Sequence, residues 1–399
     1  MTDVRNYAAV TAAYWAFTLT DGALRMLVLL HFHRLGFTPL ELSMLFLLYE
    51  AMGIVTNFFG GWIGARFGLR ITLFAGLSIQ IGALLLLSAV SPDWTMALSV
   101  AYVMSAQALS GIAKDLTKMS SKSAVKLVVK DTDQGLLFKW VALLTGSKNA
   151  LKGLGFLAGG VLLEWFGFDL SLWGMAAMLT VVLLLAVTSI KSDLGKVRKI
   201  EKLNLLAKSR EINVLSAARI FLFASRDVWF VVGLPVFLYS TLGWSFDQVG
   251  ILMAVWVIGY GSVQAVVPKI LRKTIEPVLA ARGARNWGFA LAVLTALIAL
   301  GIHVSHSPII LIGGLLIFGA VFAVNSSLHS YLIVAYSDHD QIALNVGFYY
   351  MANAIGRLGG TFLSGFIYQQ AGLEACLWTS AGMVVIAAGL TALLPSKPK

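Results

Sequence analysis

Long apolar runs recur along nearly the whole chain, separated by short polar turns, and their length decides what they are. A helix rises about 1.5 Å per residue, so about 20 apolar residues cross the ~30 Å hydrocarbon core of a bilayer. Runs of that size are predicted near 8–33, 41–65, 71–90, 95–117, 138–163, 170–190, 213–240, 246–267, 288–304, 309–336, 342–368 and 374–394. The pattern therefore predicts an all-α integral membrane protein of twelve transmembrane helices. Most connections are short. The exceptions are a basic segment after the fourth span and segments near 191–212 and 268–287. The second of these, KSDLGKVRKIEKLNLLAKSREIN, separates an N-terminal six-helix half (1–190) from a C-terminal one (213–399) and reads as a cytoplasmic linker (191–212). The first apolar run contains Asp21 and Arg25 and lacks a short apolar core followed by a small-residue cleavage site, so it is expected to be a retained helix.

Composition agrees: 58% of residues are hydrophobic and 12% charged, too little polar surface to coat a soluble globule of 399 residues. The net charge of +11 is explained by where the charges lie. Of 30 Lys and Arg, 21 fall in the termini and the even-to-odd loops, Arg34 alone falls in an odd-to-even loop, and eight fall within spans. By the positive-inside rule both termini are cytoplasmic, and the basic balance calls for no nucleic-acid partner. The single Cys376 has no internal disulfide partner and no metal-ligand companion.

The halves also resemble each other. LGFTPLELSMLFLLYEAMGIVTN around Gly36 and LGWSFDQVGILMAVWVIGYGSVQ around Gly243 align at an offset of 207. Parallel repeats of this kind relate two six-helix halves about an axis along the membrane normal, and a site near the midplane between the halves is then expected.

Charges inside spans mark the candidate chemistry, because a charged side chain at the bilayer centre costs about 2.5–3.5 kcal/mol and is retained where it faces a cavity or a partner. The basic ones are Arg25, Lys114, Lys139, Lys148, Lys152, Arg219, Arg226 and Arg357; the acidic ones are Asp21, Glu50, Asp115 and Asp227. With eight bases against four acids, a mobile anion is expected to neutralise the remainder. Asp21 and Arg25 lie four apart on one helix face, where they either pair or leave Arg25 to a cargo. Lys148 and Lys152 have the same spacing and the same sign, so they repel unless an anion or a carboxylate lies between them. Arg219 and Arg226 share a face two turns apart, with Asp227 beside the second. Planar guanidinium forks suit a tetrahedral oxyanion, and the alternative is pairing of Arg226 with Asp227 or Asp21. Arg357 follows Tyr349, Tyr350 and Asn353 and serves either the cargo or a gate. Asn57, Gln107, Asn149, Tyr260, Gln264, Asn325 and His329 are polar groups for such a cavity or for interhelical hydrogen bonds. Asp21, Glu50 and Asp227 are candidate proton-coupling groups, with charge balance for the bases as the rival role. Lys114, Lys118, Lys122, Lys126 and Lys130, spaced by four, would form a basic stripe suited to anionic lipid.

Other chemistry finds little support. His31, His33, His303, His306, His329 and His339 lack companions at metal spacing, and no nucleophile stands with a base, so neither enzyme chemistry, a metal nor a cofactor is expected.

The segment GGWIGARFGLRITL, between the second and third spans, resembles the signature gating loop of the major facilitator superfamily, with Gly61, Arg66, Gly68 and Arg70 in place and Ala65 where that loop usually carries an acid. Together, YWAFTLTDGALRMLVLLHF, QALSGIAKDLTKMSSKSAVK, LFKWVALLTGSKNALKG and SAARIFLFASRDVWFVVGLPVFL resemble the ArsJ group of organoarsenical efflux permeases. That resemblance implies two pseudo-symmetric six-helix halves in the cell's inner membrane, working as a monomer by proton-coupled alternating access. The implied cargo is 1-arseno-3-phosphoglycerate, supplied by glyceraldehyde-3-phosphate dehydrogenase acting on arsenate, and its export would confer arsenate resistance. On this reading Arg25, Lys148, Lys152, Arg219, Arg226, Asn149, Tyr260, Asn325 and Arg357 are the candidate cargo contacts. An organic-phosphate or inorganic-anion exchanger of the same fold is the alternative.

Overall fold

The computed structural model describes residues 2–91, 93–124, 134–190, 209–271, 276–305, 307–337 and 342–395, with side chains at all of these except 2–4, 60–66, 69, 122–123, 134–146, 268–271 and 342–344. The described residues form ten helical elements and no strand: α1 (Thr2–Arg34), α2 (Pro39–Leu87), α3 (Met96–Ala124), α4 (Gln134–Ser189), α5 (Arg210–Phe230), α6 (Gly233–Ser240), α7 (Phe246–Leu271), α8 (Pro277–Ser305), α9 (Pro308–Ala335) and α10 (Ile342–Thr391). This is the solution a lipid environment demands, since only a helix satisfies every backbone N–H and C=O within its own segment.

The three longest elements are each interrupted by one glycine outside helical geometry. Gly68 in α2 has φ 79° and ψ 171°, Gly167 in α4 has φ 74° and ψ −174°, and Gly372 in α10 has φ 74° and ψ −172°. Divided at these glycines, and with α5 and α6 taken as one rod, the described residues make twelve helical rods. Among the described residues, nine helical stretches are long and apolar enough to cross a membrane. Two of them, Ser147–Ser189 and Asn345–Thr391, run 43 and 47 residues, about twice what one crossing needs. The first helix, α1, is not among the nine; Asp21, Arg25 and four threonines dilute its apolar character.

The repeat read at an offset of 207 reappears as local structure. Gly36 closes α1 with φ 89° and Gly243 follows α6 with φ 69°, the left-handed conformation that ends helices. Two residues beyond each, the next helix opens on a capping residue. At Thr38 the box is reciprocal: the Thr38 N–H donates to Glu41 Oε2 at 2.8 Å and the Glu41 N–H to Thr38 Oγ1 at 3.3 Å. At Ser245 the N–H donates to Gln248 Oε1 at 3.1 Å.

The chain forms two compact units. One comprises Met1–Leu35, Leu48–Leu203 and Ser245–Ile258; the other comprises Gly36–Leu47, Asn204–Trp244 and Gly259–Lys399. Each is organised about a pair of helices brought close by glycine. In the first unit α1 packs on α4, where a Cβ at Gly155 would lie 2.4 Å from the Leu19 carbonyl oxygen and one at Gly159 2.4 Å from that of Ala23. In the second, α5 packs on α10, where a Cβ at Gly356 would lie 2.2 Å from the Ile220 carbonyl oxygen and one at Gly360 2.8 Å from that of Ala224. Gly-x-x-x-Gly at 155/159 and at 356/360 thus does the same work in both units: absent side chains let two backbones touch. The pieces of chain exchanged between the sequence halves pack by the same means. The start of α2 lies against Gly365 through Pro39 and Ser43 in the second unit, and the start of α7 lies against Gly160 through Phe246 in the first.

Candidate functional site

The close α1–α4 contact sets the charges of the first unit beside one another. Asp21, buried on α1, accepts a 2.6 Å hydrogen bond from the Tyr49 hydroxyl of α2, and its other oxygen lies 3.6 Å from Lys152 Nζ of α4. Arg25, one turn along α1, donates to Glu50 Oε1 at 3.0 Å, and Glu50 is buried. The two charges four apart on α1 therefore do not pair with each other: the Asp21 carboxylate goes to Tyr49 and Lys152, and the arginine turns to α2. Tyr49 holds the group together, because its ring also lies 4.0 Å from Lys114 Nζ and 5.7 Å from the Arg25 guanidinium carbon. Lys148 and Asn149 sit on α4, one turn before Lys152, both half-buried.

A second group in this unit joins α2 to α3. Asp115, fully buried, receives Thr56 Oγ1 and forms a 2.7 Å pair with Lys118, whose Nζ also donates to Asn57 Oδ1 at 2.9 Å.

The second unit uses the same construction with fewer acids. Asp227 on α5 is buried; its Oδ1 lies 2.5 Å from the Arg226 NH2 nitrogen and its Oδ2 lies 3.4 Å from Arg357 Nε of α10. Asp21 and Asp227 are 206 residues apart, and their basic partners Lys152 and Arg357 are 205 apart, against 207 for the helix-end glycines. The repeat thus extends to an acid on the first helix of each half and a base on its fifth. Arg219, two turns before Arg226, is 4% exposed and donates to the Ser326 hydroxyl at 3.0 Å and its carbonyl at 3.3 Å. The Phe223 ring lies between the two arginines, 3.9 Å from the Arg219 guanidinium carbon and 4.9 Å from that of Arg226. The Tyr349 ring adds a second face to Arg219 at 4.7 Å.

The remaining expected residues have other neighbours. Asn325 donates to the Ala284 carbonyl at 2.9 Å, an interhelical bond between α9 and α8. Tyr260 packs its ring 5.8 Å from Phe322, which also lies 5.7 Å from the Arg226 guanidinium carbon. Arg70 lies over Phe74 at 5.4 Å, Gly68 supplies the α2 break, and the side chains at Gly61 and Arg66 lie outside the described residues, as do those of Lys139 and Lys122. Lys126 and Lys130, the last two rungs of the lysine ladder, lie outside them too, as do His306 and His339.

Tyr49, Ser326 and Phe223 are among the residues of this arrangement that the sequence did not single out. Tyr49 stands next to Glu50, Ser326 next to Asn325, and Phe223 lies four after Arg219 and three before Arg226, the spacing that puts a side chain between two others on one helix face. That last spacing is visible in the sequence; the other two emerge only once α2 meets α1 and α9 meets α5.

Helical rods broken at glycines, a repeated half and paired charges in apolar spans describe a multi-pass membrane protein built of two related halves. The Major Facilitator Superfamily model matches residues 8–277 and again 215–399, and the chain belongs to that family. Among solved structures, the crystal structure of a single-substitution mutant of the nucleoside transporter NupG is similar in fold, with a TM-score of 0.73 and 14% sequence identity over 99% of this chain and 100% of that one. A search of curated proteins finds no match.

Proposed function

We propose that this secondary transporter exports a small phosphate-bearing anion, specifically 1-arseno-3-phosphoglycerate, and thereby confers resistance to arsenate. The observation that carries the anionic cargo is the charge balance of the second unit, where Arg219, Arg226 and Arg357 stand against one mid-helix carboxylate, Asp227, among the described residues. Buried cations held this way are neutralised well by a tetrahedral oxyanion, because a guanidinium fork donates two hydrogen bonds to it. Arsenic enters from the resemblance of the four charged helix segments to the ArsJ permeases.

In this reading Arg25, Lys148, Lys152, Arg219, Arg226 and Arg357 are the cationic groups for which cargo competes, with Asn149, Tyr260 and Asn325 as polar neighbours. Asp21, Glu50 and Asp227 hold those bases when cargo is absent and exchange protons as access alternates. Gly61, Arg66, Gly68 and Arg70 form the gating loop. The protein sits as a monomer in the inner membrane with both termini cytoplasmic, and glyceraldehyde-3-phosphate dehydrogenase supplies the cargo.

The test compares arsenate resistance in cells expressing this chain with and without that dehydrogenase. Resistance that depends on the enzyme is expected. Resistance that persists without it points to inorganic arsenate and overturns the arseno-ester. Lys148→Gln and Lys152→Gln are each expected to abolish resistance while the protein remains in the membrane.

A further inference from the structure

Resting on the anionic cargo proposed above, we infer that Arg219 anchors a tetrahedral-oxyanion subsite contained wholly in the second unit, built from α5, α9 and α10 and distinct from the Asp227 pair. Every other mid-span arginine reaches a carboxylate: Arg25 reaches Glu50, and Arg226 and Arg357 reach Asp227. Arg219 reaches none among the described residues, although it is the most buried of the four. One nitrogen of its fork is committed to Ser326, while Nε is buried with no hydrogen-bond partner among the described residues. His329, one turn beyond Ser326 on the same face of α9, is 1% exposed. Its Nε2 meets Thr391 Oγ1 at 3.4 Å, and its Nδ1 is likewise buried without a partner.

These features point to a ligand. A buried cation without a counter-charge is costly, and a buried N–H without an acceptor adds the desolvation cost of that group. The rings of Phe223 and Tyr349 offset part of the charge, but neither ring occupies Nε. An oxyanion beside the fork would satisfy Nε and the charge together, and the Ser326 hydroxyl is placed to share it. Phosphate, arsenate or the phosphate end of a phosphomonoester fits this chemistry; chloride offers charge without the several acceptor oxygens the fork can use.

The experiment uses the full chain purified in detergent and measures the rise in thermal midpoint on titration with phosphate, arsenate, 3-phosphoglycerate and chloride at constant ionic strength. For the wild type, a rise with the first three and little with chloride is expected. Arg219→Gln is expected to weaken the apparent affinity for phosphate at least tenfold, Ser326→Ala several-fold, and exchange of Arg282, exposed on α8, for Gln not at all. Arg219→Lys keeps the charge and loses the fork, so it is expected to fold and to bind phosphate more weakly than the wild type; it decides the matter if the glutamine variant does not fold. Wild-type phosphate affinity in Arg219→Gln or in Arg219→Lys overturns the subsite while leaving an anionic cargo standing. No response of the wild type to any oxyanion overturns both.

Discussion

The two units carry the same construction, an acid on the first helix and a base on the fifth held together by a glycine contact, yet they divide their charges differently. In the first, the three mid-span carboxylates among the described residues, Asp21, Glu50 and Asp115, each take a base of their own: Lys152, Arg25 and Lys118. In the second, Asp227 is shared by Arg226 and Arg357, and Arg219 rests on a serine and two aromatic faces. Shared packing with unshared charge separates two duties that one helix pair performs. The glycines set how close the backbones come, and the acids decide which bases are already neutralised when cargo arrives.

The largest expected effect is at the shared acid. Asp227→Asn leaves two buried guanidiniums without their carboxylate, a change of about 3–5 kcal/mol by the measure of broken buried pairs. Asp21→Asn removes a carboxylate that stands 3.6 Å from a single lysine and is expected to cost clearly less. Thermal unfolding of the two variants in detergent measures both, and equal losses would erase the contrast. Tyr49→Phe tests the hub of the first unit: it keeps the ring under Lys114 and removes the hydroxyl from Asp21, at an expected 1.5–3 kcal/mol, roughly the worth of a hydrogen bond to a charged group. Gly155→Ala and Gly356→Ala test what the units have in common. Each drives a methyl group against a backbone carbonyl, so each is expected to lower stability by about 1–3 kcal/mol and by similar amounts in the two units. The smallest effects are at the caps. Thr38→Ala breaks both arms of a reciprocal box and Ser245→Ala leaves the backbone arm to Gln248 intact, so the first is expected to lose more within a range of about 0.5–2 kcal/mol.

The fold was legible because its signals are local. Apolar run length gives the rods, and the repeated Leu-Gly, Thr or Ser, Glu or Gln pattern at 35–41 and 242–248 is a helix end followed by a helix start in both places. The spans expected near 41–65 and 71–90 are two helices that meet with no loop between them, because Gly68 alone turns the chain. The site was half legible. Charges stand out in apolar spans, so Arg25, Lys152, Arg219, Arg226 and Arg357 could be found by inspection. Asp227 beside Arg226 could be read the same way, but the partners of Arg25 and Lys152 could not, because spacing along one helix offers Asp21 to Arg25 while the packing of α2 and α4 on α1 brings Glu50 and Lys152 closer. Tyr49 was hidden for another reason. In a chain with 11 tyrosines and 23 phenylalanines, one aromatic ring against a cation has no sequence signature of its own.

Gly68, Gly167 and Gly372 have a consequence for how this chain tolerates change. A Cβ at Gly167 or Gly372 would meet nothing within 4 Å, so by space alone these are among the most permissive positions in the protein. Their backbone angles lie in a region that residues with a side chain hardly enter. In a library of all single substitutions, the bends would therefore stand out as open sites that accept only glycine, the reverse of Gly155 and Gly356, where the angles are ordinary and the space is missing.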